Sequence, residues 1–209
     1  DGSYAPTENV DRAQMAKMLS VIMNKGVDNS ALYQSVNSGL VDVNTNWAKG
    51  HINYCYTTGI IAGRGNGKFD PSATVTALEA AKMLLVAVGY DPKIEGFEGA
   101  DWAINVSVRA DEQGIFEGFT KDLSAPLNRD DAALLIYNAL DVEMIQSYTT
   151  NNYPIVYSDH RTILSDKYGV IKVEGVVTAN EWAILDDDTD TALQEGKTRI
   201  YNPDGILST

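Results

Sequence analysis

Apolar residues recur with a helical period three times: Met15, Met18, Leu19 and Ile22, then Ala80, Met83, Leu84 and Ala87, then Ala132, Leu135, Ile136 and Ala139. Spacing of this kind lays one apolar stripe along a core-facing helix. Each stripe follows a helix-start signature, Asp11-x-x-Gln14, Thr76-x-x-Glu79 and Asn128-x-x-Asp131, whose first side chain can accept from the orphan amides of the first turn. Gly26 and Gly89 follow as stops. Shorter helices are expected from near Trp47 to Gly59 and from near Trp102 to Gly114, each leading into a glycine-bearing loop.

After Asp141 the pattern changes. Tyr148 to Tyr157 is aromatic and polar without helical period and reads as a linker packed against the helices, so 142–163 is assigned as linker. Thr162 to Tyr168 reads as a short helix. From Val170 the chain becomes β-branched and alternating, through Val176-Val177 and Trp182 to Leu185, with Thr198 to Tyr201 as a return strand. Two or three strands do not make a stable sheet alone, so 164–209 reads as the start of a β-rich domain continuing past Thr209.

The helical part is repetitive. At a shift of 65, residues 1–23 align with 66–88 and 8 positions are identical, including Ala16/Ala81, Lys17/Lys82, Met18/Met83 and Leu19/Leu84. A shift of 55 superposes Trp47-Ala48 on Trp102-Ala103 and the Gly59–Gly63 stretch on Gly114–Gly118. One repeat cannot bury its stripe alone, so the helix pairs are expected to pack into one domain over 1–141, with repeats at 1–26, 40–89 and 99–141. The third loop is three residues shorter and lacks the Gly67-Lys68-Phe69-Asp70-Pro71 turn.

Composition narrows the partners. Sixteen Lys+Arg against 29 Asp+Glu give a net charge of -13, which leaves no basic face for nucleic acid or an anionic bilayer. No apolar run reaches the length of a membrane span, and Asp1-Gly2-Ser3-Tyr4 is not a signal peptide. The two ends read as those of a segment of something longer. The single cysteine, Cys55, excludes an internal disulfide or a thiolate metal cluster.

Other candidate chemistry is sparse. His51 and Cys55 stand i, i+4 on one helix face, but no third ligand or oxyanion motif accompanies them, so both are expected to be structural. His160 after Ser158-Asp159 reads as a loop residue. Asp186-Asp187-Asp188-Thr189-Asp190 offers alternate carboxylates to calcium, yet Thr191 and Lys197 stand where an EF-hand needs glycine and glutamate. A solvated hairpin turn is the preferred reading there, and no cofactor is expected.

The second repeat carries Val41-Asp42-Val43, Trp47-Ala48, Gly59-Ile60-Ile61-Ala62-Gly63, Gly67-Lys68-Phe69-Asp70-Pro71 and Val75-Thr76-Ala77-Leu78-Glu79. In content and order these resemble the S-layer homology family. The resemblance runs over about residues 1–141 and enters the first repeat midway. It implies a mainly α, pseudo-threefold helical bundle followed by the β-rich segment, α+β overall. It also implies non-covalent anchoring to the cell wall of a Gram-positive bacterium by binding pyruvylated, peptidoglycan-linked polysaccharide. The alternative function is lattice assembly with other copies of the surface protein, and no constellation supports catalysis.

By position, the family's groove arginine corresponds to Arg12 and Arg129, with Ala77 in the second repeat. A guanidinium just after a helix cap suits a carboxylate, because free amides and the helix dipole favour an anion there. Trp47 and Trp102 offer flat faces to sugar rings, with core packing as the competing role. Asp42, Gly63 and Gly65 complete the expected carbohydrate-binding set, the glycines allowing close backbone approach.

Overall fold

The computed structural model describes residues 3–170, 172–184 and 192–201. They form six α-helices, a 3-10 turn and two small antiparallel sheets, an α+β mix. The chain divides into two compact units, 1–169 and 170–209.

The three capped helices of the first unit are α1 (Arg12–Met23), α3 (Ala77–Ala87) and α5 (Arg129–Ala139). Asp11 and Thr76 each close a full capping box, with Gln14 and Glu79 returning the bond to the cap amide. Asn128 accepts from the Asp131 amide at 2.8 Å. A cap of this type stabilises a helix by about 1 kcal/mol.

The residue just before each cap enters a closed ring of backbone bonds. Val10 N–H donates to the Leu127 carbonyl (2.8 Å), Leu127 to Val75 (2.7 Å) and Val75 back to Val10 (2.9 Å). All three side chains are fully buried, so this ring pins the starts of α1, α3 and α5 together at the centre of the core. Phe69, Met15, Leu19, Leu84, Leu85 and Leu135 pack around it. The helix α2 (Lys49–Thr57) lies on α1, and α4 (Trp102–Glu112) lies on α3. The apolar face of α3 is wider than its predicted stripe, since Ala77, Ala81 and Leu85 are buried too. That helix packs against α1, α4 and α5 at once.

The assignment of 142–163 as linker is corrected. Strands β1 (Ile145–Tyr148) and β2 (Pro154–Val156) pair as an antiparallel hairpin there, and α6 (Ile163–Tyr168) follows, capped by Thr162. Ile145 donates to the Val88 carbonyl at 2.8 Å, just past α3. The Tyr148 hydroxyl accepts from the Asp91 amide and donates to Glu95. Ile163 is buried, and the Tyr168 hydroxyl reaches the Ile22 carbonyl at 3.1 Å. These anchors are isolated residues among polar ones, so no periodicity announces them, and the compact unit runs to Gly169 instead of Asp141.

In the second unit β3 (Val176–Asn180) pairs antiparallel with β4 (Thr198–Tyr201). The strand starts at Val176 instead of Val170. Gly175 lies against Tyr201, whose carbonyl oxygen leaves no room for a Cβ. The expected strand at Trp182 is a tight turn, in which the Asn180 side chain accepts from the Trp182 and Ala183 amides. The candidate calcium turn at Asp186 to Asp190 lies outside the described residues.

Candidate functional site

Arg12, Ala77 and Arg129 occupy the same place, the first residue after a cap, and each faces the loop of the next repeat around the ring. Three parallel contacts define this relation. Ala13 N–H donates to Pro71, Asp130 to Pro6 and Leu78 to Leu123. Phe69, Tyr4 and Lys121, each two residues before the accepting residue, are therefore equivalent.

The Arg12 guanidinium is almost wholly buried, at 4% exposure. Its Nε donates to the Phe69 carbonyl (2.8 Å) and an Nη to the Ala62 carbonyl (2.9 Å), while its centre sits 4.4 Å from the Phe69 ring centroid. Glu79 is 3.9 Å away and pairs more closely with Arg64, at 2.6 Å. Burial lowers the pKa of Arg12, Glu79 opposes this and Arg64 adds to it, but a guanidinium stays charged.

Arg12 lies at the back of a groove of about 440 Å³ whose walls include Gly63, Arg64, Lys82 and Trp102. Lys82 Nζ donates to the Phe97 carbonyl (2.5 Å) and stands 5.7 Å from the Trp102 ring centroid. Burial lowers the lysine's pKa, with Glu98 opposing and Arg12 reinforcing.

A second groove, of about 750 Å³, holds Arg129, Lys17, Trp47 and Tyr4. Here Arg129 donates to the Tyr4 carbonyl at 2.9 Å, as Arg12 does to Phe69, and meets Glu8 at 3.3 Å. Lys17 Nζ lies 5.8 Å from the Trp47 ring centroid, the same pairing as Lys82 with Trp102. Trp47 is 58% exposed, whereas Trp102 is half-buried and packs against the core while lining its groove.

The third position differs throughout. Ala77 is buried, Leu134 stands where Lys17 and Lys82 stand, and the facing loop presents Phe116, Phe119 and a Lys121 paired with Asp131. This loop lacks the phenylalanine turn that receives Arg12.

The structure thus brings Arg12, Gly63 and Trp102 to one groove and Arg129 and Trp47 to another. Asp42 and Gly65 are not among the residues that line these two grooves. The Asp42 carboxylate accepts from the Phe69 and Asp70 amides at 2.8–3.1 Å and shapes the turn that holds Arg12. Burial pushes its pKa up, but those amides outweigh burial and the net direction is down. Gly65 opens a turn through Asn66 and Gly67, both at positive φ, closed by Lys68 N–H on the Gly65 carbonyl. Gly63 is demanded by packing, since a Cβ would meet the Lys68 carbonyl at 2.9 Å. Sequence reasoning missed Lys17, Lys82 and Arg64, although the identity of Lys17 and Lys82 across repeats was the available signal.

His51 and Cys55 serve the core. His51 Nδ1 bonds Ser20 Oγ at 2.6 Å, and burial lowers its pKa against the pull of Asp28. Cys55 Sγ donates to the Ala16 carbonyl, and burial pushes its thiol pKa up to about 12. His160 pairs with Glu143 at 2.7 Å.

The loop and helix of the second repeat, with Gly63, Arg64, Glu79 and Lys82, form one wall of the first groove. Residues 41–81 match the family model of the S-layer homology domain. This S-layer homology segment spans α2, the phenylalanine turn and the start of α3. The chain is similar to a cell surface protein of Thermoanaerobacter kivui, 28% identical over 211 aligned residues that cover 100% of this chain and 25% of that protein. It also resembles an S-layer protein of Bacillus licheniformis, 30% identical over 46% of this chain and 10% of that protein. The exoglucanase XynX of Acetivibrio thermocellus is 28% identical over 53% of this chain and 11% of its own length. The chain spans a quarter or less of the length of these three relatives.

Proposed function

We propose that the first unit holds a bacterial surface protein non-covalently on the cell wall by binding pyruvylated, peptidoglycan-linked polysaccharide. The three repeats form the family's pseudo-threefold bundle, and the grooves between them are the binding sites. The observation that carries this reading is the recurrence of arginine, lysine and an indole in two separate grooves of one acidic unit. A chain of charge -13 repels an anionic glycan at long range, so local cations and a flat ring face must supply the affinity.

The S-layer homology segment and the relatives named as surface and S-layer proteins support a cell-surface, non-enzymatic role. The relative named an exoglucanase is compatible with anchoring, because a repeat unit can tether an enzyme that lies elsewhere in the chain. Among the described residues no helix is long and apolar enough to cross a membrane. The S-layer relatives favour lattice assembly as the second reading.

Calorimetric titration of released wall polysaccharide into this protein, beside a search for ordered arrays on a lipid monolayer, separates the two. Saturable binding in solution without arrays is the expected result. Arrays without binding would overturn the anchoring role.

A further inference from the structure

The starts of α1, α3 and α5 are tied by the ring of Val10, Leu127 and Val75, and their other ends are tied by one later segment. We infer that this segment, residues 142–169, is a load-bearing clasp, which carries a pull on the chain beyond Gly169 into three core helices at once. The inference goes beyond the wall-glycan reading and involves no ligand.

Each core helix is met at its C-terminal end. The Ile145 amide donates to the carbonyl of Val88, the cap residue of α3, at 2.8 Å. The Leu164 amide donates to the carbonyl of Leu140, the cap residue of α5, at 3.2 Å. The Tyr168 hydroxyl donates to the carbonyl of Ile22, in the last turn of α1, at 3.1 Å. Tyr148 extends the reach to α4, because its hydroxyl bonds Glu95 at 3.0 Å and Glu95 holds Arg109 at 2.9 Å. Gly89 shows how close the hairpin comes, since its φ is +106° and a Cβ there would lie 2.8 Å from the Ile145 carbonyl oxygen.

The segment is also closed on itself. The Met144 amide donates to the Arg161 carbonyl at 2.7 Å, and the Arg161 guanidinium stands 3.6 Å from the Tyr157 ring centroid. Val142, Ile145 and Ile163 are buried, so the clasp is packed as well as bonded. A pull applied directly at Asp141 would act on α5 alone and peel it turn by turn. Routed through the clasp, the same pull loads bonds on separate helices together, and they must fail together, which raises the barrier to forced unfolding.

The test is optical-trap pulling between the C-terminus and a handle on the exposed face of α5, attached through Tyr137→Cys. Cys55 is buried and takes no handle. After residues 170–209 extend, one further rupture should release about 90 Å of chain, the span of residues 142–169. Tyr148→Phe and Tyr168→Phe each keep the ring and lose only the hydroxyl, and a thermal melt accompanies each single change and the pair. At constant force the double variant should rupture about ten- to hundredfold faster than the wild type. Handles at Leu32→Cys and Lys68→Cys pull across the second repeat and bypass the clasp, and with them the same double change should leave the rupture rate within about twofold. The absence of a separate rupture of that length, a double variant that ruptures at the wild-type rate, or an equal acceleration with both handle pairs would each overturn the load-bearing role. No glycan is present, so none of these results bears on wall binding.

Discussion

Arg12→Ala should cost much more stability than Arg129→Ala, although both arginines occupy the same place in the repeat. Arg12 is 4% exposed, and its removal strips a charged donor from the Phe69 and Ala62 carbonyls and leaves a void against the Phe69 ring. Two charge-assisted bonds in a buried setting, with acceptors left unsatisfied, correspond to about 3–5 kcal/mol. The side chain of Arg129 is 30% exposed, and its Glu8 partner is 65% exposed, so solvent screens that pair and replaces the lost bond to Tyr4. Its removal should cost about 1 kcal/mol. Arg12→Lys should fall between, since a single ammonium does not span two carbonyls as the planar fork does. Urea titration of the four proteins followed by tryptophan fluorescence measures the differences. Equal losses for the two alanine variants, or a loss below about 1 kcal/mol at Arg12, would refute the claim that Arg12 is a fastening of the groove wall.

Leu84→Ala and Leu135→Ala, at fully buried sites on α3 and α5, should each cost about 2–5 kcal/mol in the same melts, and losses near zero would place the stripe on the surface. The native Asp42 carboxyl has a pKa below its ordinary 3.8, so its stabilisation is present above that value and lost as pH falls through the native pKa. Below pH 4 the wild type should therefore lose an increment of stability that Asp42→Asn lacks at every pH, measured by thermal melts from pH 2 to 6. Cys55, with no exposed surface and a thiol pKa pushed up to about 12, should resist a thiol-specific disulfide reagent at pH 8 until the protein is unfolded. Stoichiometric labelling of the native protein would contradict that placement.

The parts of this fold legible in the sequence are those set by local chemistry. Asp11, Thr76 and Asn128 announce their helices because a cap acts within one turn. The apolar stripes behind them read correctly because period follows from the helix itself. The hairpin at 145–156 was illegible, since Ile145 and Tyr148 act through Val88, Asp91 and Glu95, more than fifty positions away. The burial of Arg12 was hidden for the same reason, because Phe69 and Ala62 come from the next repeat. Asp42 belongs to a sequence motif, but only the fold reveals that its carboxylate faces the Phe69 and Asp70 amides instead of the groove. Lys17 and Lys82 stood out as identities between repeats. Their pairing with Trp47 and Trp102 depends on α2 lying on α1 and α4 on α3, which periodicity does not state.

Co-sedimentation with purified wall sacculi tests the anchoring role most directly. The protein is mixed with native sacculi and with sacculi stripped of their polysaccharide by hydrofluoric acid, and the bound fraction is measured over a range of protein concentrations. Saturable binding to the native sacculi with little or none to the stripped ones is the predicted result. Equal binding to both, or binding to neither, would contradict polysaccharide recognition by the grooves.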